Sequence, residues 1–357
     1  MNDWRATQIW KHLDMSLTGD HIVRSTLSSH MPRIEQVLTT GGTTPLDFTL
    51  HDSGHAFRVA ELMFELVPCP VRAVLSAEEW GLLLFSAYLH DIGMSPARAQ
   101  VEAVRCYLYE GDNTGLDPNE FRRLRIWLAE KEGGDFTPPV QSLGKLEELL
   151  TYYCRDRHNE WSSAFTGEQL SNEATAWYHG WVEDLTHICE SHHFGENELR
   201  KSEFNIRPLS GNRYVNRRYL AALLRVADIL ENDPERVPPA VLEHRAIATE
   251  SVPHWRRPAL MTTQILGNGL EKMPTEIGEL AFSLRRITTT AWPTTAIEEK
   301  GIRETVHAMQ QELELCDRLQ RDGCFKNTHQ ARIYSPITGT FPRRSPNRTT
   351  RTTQATS

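Results

Sequence analysis

Cysteine is scarce in this chain of 357 residues, and the few cysteines present do not form a recognisable site. The six cysteines are scattered, and no two are spaced as CxxC, which argues against a zinc ribbon. The N-terminus, MNDWRATQIWKHL, is polar and amphipathic, unlike a secretory signal. Scattered cysteines without such a signal are typical of a reducing compartment, so we expect a cytoplasmic protein.

Long apolar runs and an excess of basic residues are also missing. No run of about 18 apolar residues occurs, so we expect no transmembrane span and no membrane partner. The formal net charge is -8, whereas a large nucleic-acid footprint usually needs a basic face. A local basic groove is still compatible with this charge, so nucleic acid stays among the alternative substrates.

Apolar residues at helical spacing are abundant along most of the chain. This periodicity predicts helices in residues 1–40, 51–67, 76–89, 151–195, 216–231 and 296–322. Strand-like alternation occurs in residues 259–268 and 281–292, and we expect any sheet to be small and to lie after residue 245. The predicted fold class is mainly all-α, a helical bundle with a small C-terminal α/β or hairpin extension.

Composition divides the chain into four predicted parts. These are an N-terminal helical segment 1–44, a helical core 45–245, a C-terminal extension 246–325 and a disordered basic tail 326–357. The tail contains no acidic residue and few apolar ones, which is typical of disorder. Within the core, residues 97–150 alternate helical stretches with polar loops, and we interpret them as an insertion that could act as a lid.

A histidine and an aspartate stand side by side at the end of an apolar helix. His90 and Asp91 precede a turn at Gly93, and they offer one nitrogen and one oxygen ligand from a single rigid point. Such a pair suits a divalent metal, although the dipeptide alone is a weak signal. Further candidate ligands lie elsewhere in the chain, at His55, His158 and His192.

Asp228 is the most informative single residue, because it lies inside the otherwise apolar helix LLRVADIL. A carboxylate on the apolar stripe of a buried helix is costly unless it is paired or binds a metal. Two explanations are open at this point. Asp228 is either a metal ligand or the partner of an arginine such as Arg225 in a buried ion pair.

These segments together resemble the HD superfamily of metal-dependent phosphohydrolases. The phrases HAFRVAEL, AYLHDIGM and LLRVADIL are similar to helices of that family, and the resemblance covers roughly residues 45–320. The paired histidines of HDSGH are similar to a subgroup whose core carries a C-terminal extension and is sometimes fused to chaperone-type ATPase domains. The ordered match to the family signature reads His55, His90 with Asp91, His158, His192 with His193, and Asp228.

The sequence departs at two positions from motifs of particular branches of this superfamily. Met94 stands where some signalling-type members carry a lysine, and Phe194-Gly195-Glu196 stands where the cyclic-dinucleotide branch carries Gly-Tyr-Pro. The second departure argues against hydrolysis of cyclic di-GMP.

The resemblance implies a site for one or two divalent metal ions. One ion would be held by His55, His90, Asp91 and Asp228, and Asp91 could bridge to a second ion held by His158 and His192. Mn, Fe, Zn, Co and Mg are all compatible with these ligands.

The resemblance also implies catalytic roles beyond metal binding. Besides Asp91, we expect His193 to order a ligand or to donate to the leaving group. Arg155 and Arg157 are candidates for clamping phosphate oxygens.

The predicted activity is hydrolysis of a phosphoester or phosphoanhydride in a nucleotide or a related small phosphorylated molecule, through a metal-activated hydroxide. A di-iron oxygenase with the same ligands and a non-catalytic signalling or scaffold module are the alternatives. No motif in residues 97–150 or 245–320 specifies the substrate, and the oligomeric state is open.

Overall fold

Helices dominate the fold and confirm the predicted mainly all-α class. The computed structural model describes residues 3–17, 19, 21–40, 51–134, 136–170, 176–209, 213–234, 237, 256–267, 285–324 and 353–356. The first helices are α1 (Gln8–Ser16), α2 (Ile22–Thr40), α3 (Ser53–Leu66), α4 (Cys69–Arg72), α5 (Ala77–Leu89) and α6 (Arg98–Glu110). The later ones are α7 (Pro118–Glu132), α8 (Leu143–Leu170), α9 (Ala176–Glu190), α10 (Glu196–Leu199), α11 (Arg217–Leu230) and α12 (Ala296–Arg321).

Local capping fixes where the two helices that carry HDSGH and HDIG begin. The Asp52 side chain accepts a hydrogen bond from the His55 backbone and caps α3, so His51 lies in the turn before the helix. Ser76 and Glu79 form a reciprocal capping box at the start of α5. Both caps are formed by residues that are close in the sequence. By fixing where each helix begins, they help to determine that its histidine faces the interior.

The central helix of the main core is α5, which is buried on all sides from Glu78 to Leu89. Helices α1, α2, α3, α9 and α11 pack against it. A helix that is apolar all round is typical of such a central position. The N-terminal segment belongs to the same core, since Trp4, Leu13 and Val23 are buried in it.

The insertion has a small core of its own. Apolar side chains of α6, α7 and α8 form this second cluster, which includes Val101, Leu124, Leu128 and Tyr153. The predicted end of the insertion, residue 150, falls inside α8, so one continuous helix runs from the insertion into the main bundle. The boundaries predicted at residues 44, 245 and 325 lie outside the described residues.

The larger sheet has the small size and the position that the sequence predicted. Strand β3 (Met261–Gly267) pairs antiparallel with β4 (Arg285–Ala291), and Met261 lies opposite Ala291. Strand β5 (Thr353–Thr356) pairs with the other edge of β4.

Two expectations about strands need correction. Residues 353–356 lie in the predicted disordered tail but form a strand, because β4 offers an open edge of backbone donors and acceptors. The expectation of no strand before residue 245 is also wrong. Strands β1 (Arg207–Pro208) and β2 (Tyr214–Val215) form a two-residue antiparallel ladder, too short to leave a periodic signal.

No helix in the described part of the chain is both long and apolar enough to cross a membrane.

A buried ion pair ties α9 to α11. Asp184 on α9 is fully buried and accepts hydrogen bonds from Arg207 Nε at 2.9 Å and from Arg217 Nε at 2.5 Å. Glu183, its neighbour, is exposed and lies 3.1 Å from Arg217 Nη1. The carboxylate of Asp184 therefore neutralises two guanidinium groups inside the fold.

We expect Asp184→Asn to lower the free energy of unfolding by about 3–5 kcal/mol, because it leaves buried arginine charge without a counter-charge. Chemical denaturation would measure this loss. Glu183→Asn is the matched control, and because the Glu183 carboxylate is exposed to water its contact with Arg217 should be worth less than about 1 kcal/mol. Equal effects of the two substitutions would contradict the assignment of Asp184 as the organising charge.

Candidate metal centre

The fold brings all six predicted metal ligands to one place. Helix α3 carries His55, α5 ends at the His90–Asp91 pair, and α8 carries His158. A 3-10 turn after α9, Ser191–His193, carries His192 and His193, and α11 carries Asp228.

Four of these residues form the first cluster. One ligand atom from each of His55, His90, Asp91 and Asp228 lies within 4.8 Å of the others. Asp228 Oδ1 is 3.6 Å from both His55 Nε2 and His90 Nε2. Asp91 Oδ2 is 3.4 Å from His90 Nε2 and 3.8 Å from His55 Nε2.

The second cluster consists of His158, His192 and His193, whose ligand atoms also lie within 4.8 Å of one another. Asp91 connects the two clusters, because its other oxygen, Oδ1, is 3.3 Å from His158 Nε2 and 3.5 Å from His192 Nε2. One carboxylate therefore offers a separate oxygen to each cluster, which is the arrangement expected of a bridging ligand.

Gly93 allows the helix α8 to approach Asp91. The Gly93 backbone donates to Ser162 Oγ at 2.9 Å. A Cβ at position 93 would lie only 2.0 Å from the His158 carbonyl oxygen. Only glycine fits this contact, and the contact is what places His158 next to the His90–Asp91 pair.

Four histidines are oriented by acceptors on their Nδ1 side. These are Glu231 Oε2 for His55 at 3.1 Å, and the carbonyls of Ala87 for His90 at 3.1 Å, of Arg155 for His158 and of Cys189 for His192. Carboxylates and carbonyls only accept, so each Nδ1 carries the hydrogen and each Nε2 turns its lone pair to the cluster.

This arrangement of lone pairs fits a cation. His55 Nε2 and His90 Nε2 are 3.4 Å apart, and His158 Nε2 and His192 Nε2 are 3.5 Å apart. Unprotonated nitrogens that face one another beside two carboxylates repel unless positive charge lies among them. The two clusters could therefore hold a divalent metal ion, and nitrogen with carboxylate oxygen suits metals of borderline hardness.

Protons compete for the same atoms. Burial lowers the pKa of His90, but the carboxylates of Asp91 and Asp228 outweigh it and raise that pKa well above its ordinary value. Burial likewise opposes the charge on His158, and Asp91 raises its pKa. Burial opposes ionisation of Asp91 and Asp228 too, yet the neighbouring histidines lower the pKa of both carboxyls.

His193 has a different electrostatic environment. Burial and then the neighbouring His192 and His158 lower its pKa to about 3, and its Nε2 lies 3.0 Å from His158 Nε2. His193 is exposed to solvent, and its ligand atom lies with those of His158 and His192 in the second cluster. The two roles predicted for His193, ordering a ligand or donating to the leaving group, both stay predictions.

The two arginines that were predicted to bind phosphate differ in burial and in their contacts. Arg157 is buried and donates to Glu120 of α7 through Nε at 3.2 Å and Nη2 at 3.1 Å, and it also contacts Glu160. It thus joins the insertion to α8. Arg155 is exposed on α8, and its phosphate-binding role stays a prediction.

The alternative explanation for Asp228 does not describe this fold. Arg225 lies about one turn earlier on α11, but its guanidinium binds Glu312 of α12. Asp228 instead faces His55 and His90.

Two site residues were missed by sequence reasoning. His51 Nε2 lies 3.6 Å from Asp91 Oδ2, and the repeated histidine of HDSGH was the available signal. Glu231 is buried directly after α11 and accepts from both His55 and Arg58 Nε, the latter at 2.6 Å. No local pattern marks Glu231, because its role depends on the neighbouring helix α3.

Comparison with known proteins places the chain among HD-type domains. The HD-CE family model matches residues 46–314, which is most of the chain, and the chain belongs to the HD-CE family. This confirms the resemblance to the HD superfamily. No curated protein and no solved structure matches the chain.

Asp228→Asn should weaken metal binding while the fold is retained, because asparagine keeps the shape but removes the negative charge. We expect metal affinity, measured by titration calorimetry with Mn²⁺, to fall at least about tenfold, the lower end for changes to groups that support a ligand. The exposed Asp156→Asn on α8 is the control. A lower melting temperature in metal-free protein with unchanged metal affinity would reject Asp228 as a ligand.

Metal affinity should increase with pH. The raised pKa values of His90 and His158 favour protonation of these rings in the metal-free centre, and metal binding must displace those protons. Lowering the pH therefore strengthens proton competition and weakens metal binding. Calorimetry in buffers of different ionisation enthalpy would count the released protons, and a count of zero near neutral pH would contradict this picture.

Proposed function

We propose that this chain is a metal-dependent phosphohydrolase that acts on a phosphoester in a nucleotide or a related small molecule. One observation carries the proposal: Asp91 presents its two oxygens to two separate sets of histidine nitrogens. Membership of the HD-CE family supports an HD-type domain but does not name a substrate.

The residues of the two clusters fit two divalent ions. His55, His90, Asp91 and Asp228 would hold one ion, while Asp91 with His158, His192 and His193 would hold the other. A divalent ion supplies Lewis acidity, which makes water a better nucleophile near neutral pH and neutralises charge on phosphate oxygens.

The protein's own contribution is to prepare the ligands. Glu231 and three backbone carbonyls fix the imidazole rings, so little reorganisation is needed when metal binds. Burial of His55 and His90 keeps bulk water from their rings.

His51 is proposed to bind substrate, in contrast to the histidines that would bind metal. Its side chain is partly exposed, and its Nε2 lies 3.6 Å from Asp91 Oδ2. We therefore add His51 to the residues that would bind substrate.

The test is a screen of purified protein with Mn²⁺ against nucleotides, cyclic nucleotides and oligonucleotides, with phosphate and nucleoside release measured. His90→Ala and Asp91→Ala should abolish both turnover and metal binding in folded protein, because each removes a ligand. His307→Ala, on the exposed face of α12, is the control and should leave both unchanged.

Other outcomes would replace the proposal. Retained turnover in folded Asp91→Ala would reject this centre as the site of hydrolysis. Iron in the protein with substrate-dependent oxygen consumption would favour an oxygenase, and a metal-free, inert protein would favour a scaffold. Turnover limited to oligonucleotides would move the substrate class from small molecules to nucleic acid.

A further inference from the structure

The turn that carries His192 and His193 is held from outside by one buried guanidinium. Arg225 is about one helical turn before Asp228 on α11, and its Nη1 donates to the carbonyl of Ser191 and, at 2.8 Å, to that of Phe194. These two carbonyls flank the two histidines in the chain.

Two further donors of Arg225 are directed to the C-terminal helix. Glu312 of α12 accepts from Nε and, at 2.7 Å, from Nη2. A bidentate carboxylate fixes the plane of a guanidinium as well as its position. The orientation of Nη1 toward the histidine turn is thus set by a residue from the predicted C-terminal extension.

The turn has little internal support. It is a single 3-10 turn, in which the Phe194 backbone donates to the Ser191 carbonyl at 3.0 Å. Metal ligands must be held close to their productive geometry by the groups around them. Arg225, which is on α11, supplies that restraint through its hydrogen bonds to two carbonyls of the turn.

We infer that Glu312 and Arg225 are positioning residues for the His158–His192–His193 cluster, and that α12 thereby completes the metal centre. The inference rests on the proposed function, because it concerns the same two-metal centre. It predicts selectivity, since Arg225 contacts the backbone around His192 and His193 and not that around His55 or His90.

The first test compares Glu312→Gln with Glu304→Gln, a control on the exposed face of the same helix. Hydrogen exchange is measured on metal-free protein, so this readout needs neither metal nor turnover. We expect peptides covering residues 189–195 to exchange faster in Glu312→Gln, while peptides covering α3 exchange as in the wild type. Unchanged exchange at 189–195 would overturn the inference.

The second readout is titration with Mn²⁺. We expect Glu312→Gln to weaken one of two binding events by about 10-fold to 100-fold, the range for groups that support metal ligands. Electron paramagnetic resonance should then show a single uncoupled Mn²⁺ where the wild type shows a coupled pair. Faster exchange with unchanged affinities, or equal loss at both sites, would reduce the pair to a purely structural role and overturn the inference.

A double variant controls for destabilisation of the fold by an unpaired buried charge. Arg225→Met with Glu312→Met removes both buried charges together, which proteins often tolerate, but leaves the Ser191 and Phe194 carbonyls without their donor. It should melt near the wild-type temperature and still show the selective metal loss. A folded double variant with both affinities intact would overturn the inference. A wild type that binds no Mn²⁺ would instead overturn the proposed function, and the exchange result would still decide whether the pair holds the turn.

Discussion

The buried carboxylate of Asp91 is the constraint around which the bundle is arranged. Its two oxygens face different sets of nitrogens, from His55 and His90 on one side and from His158 and His192 on the other. Burying a carboxylate is costly unless positive charge or hydrogen-bond donors compensate it. The helices α3, α8 and α11 and the turn after α9 all converge on this one group, and Gly93 lets α8 come close enough to do so.

The same local hydrogen-bond pattern occurs in three histidines around Asp91. His90, His158 and His192 each place Nδ1 against the carbonyl three residues earlier, those of Ala87, Arg155 and Cys189. The backbone of a helix or of its last turn thus selects the tautomer, and Nε2 is left for the cluster. His55 stands near the start of its helix, where no carbonyl lies three residues back within the helix, and it uses the distant Glu231 instead.

The elements outside the central bundle make different contributions to this centre. The insertion packs on α8 through its own small core, and Arg157 joins it to α8 through Glu120. The C-terminal helix α12 is connected to the centre by the ion pair of Glu312 with Arg225. Both elements act on helices or turns that carry ligands, so the centre depends on parts of the chain beyond the HD motifs themselves.

The sequence by itself determined the helical class, the small sheet after residue 245 and the order of the candidate ligands. Periodicity and capping are local, and the residues that create them are neighbours in the chain. Only the tertiary structure shows what surrounds Asp228, since Arg225 contacts Glu312 and Asp228 faces the histidines. It also assigned Arg157 to Glu120 and revealed Glu231 behind His55. The physical reason is that a helical pattern fixes which side chains share a face, whereas the partner opposite that face comes from a distant segment whose approach the pattern does not encode.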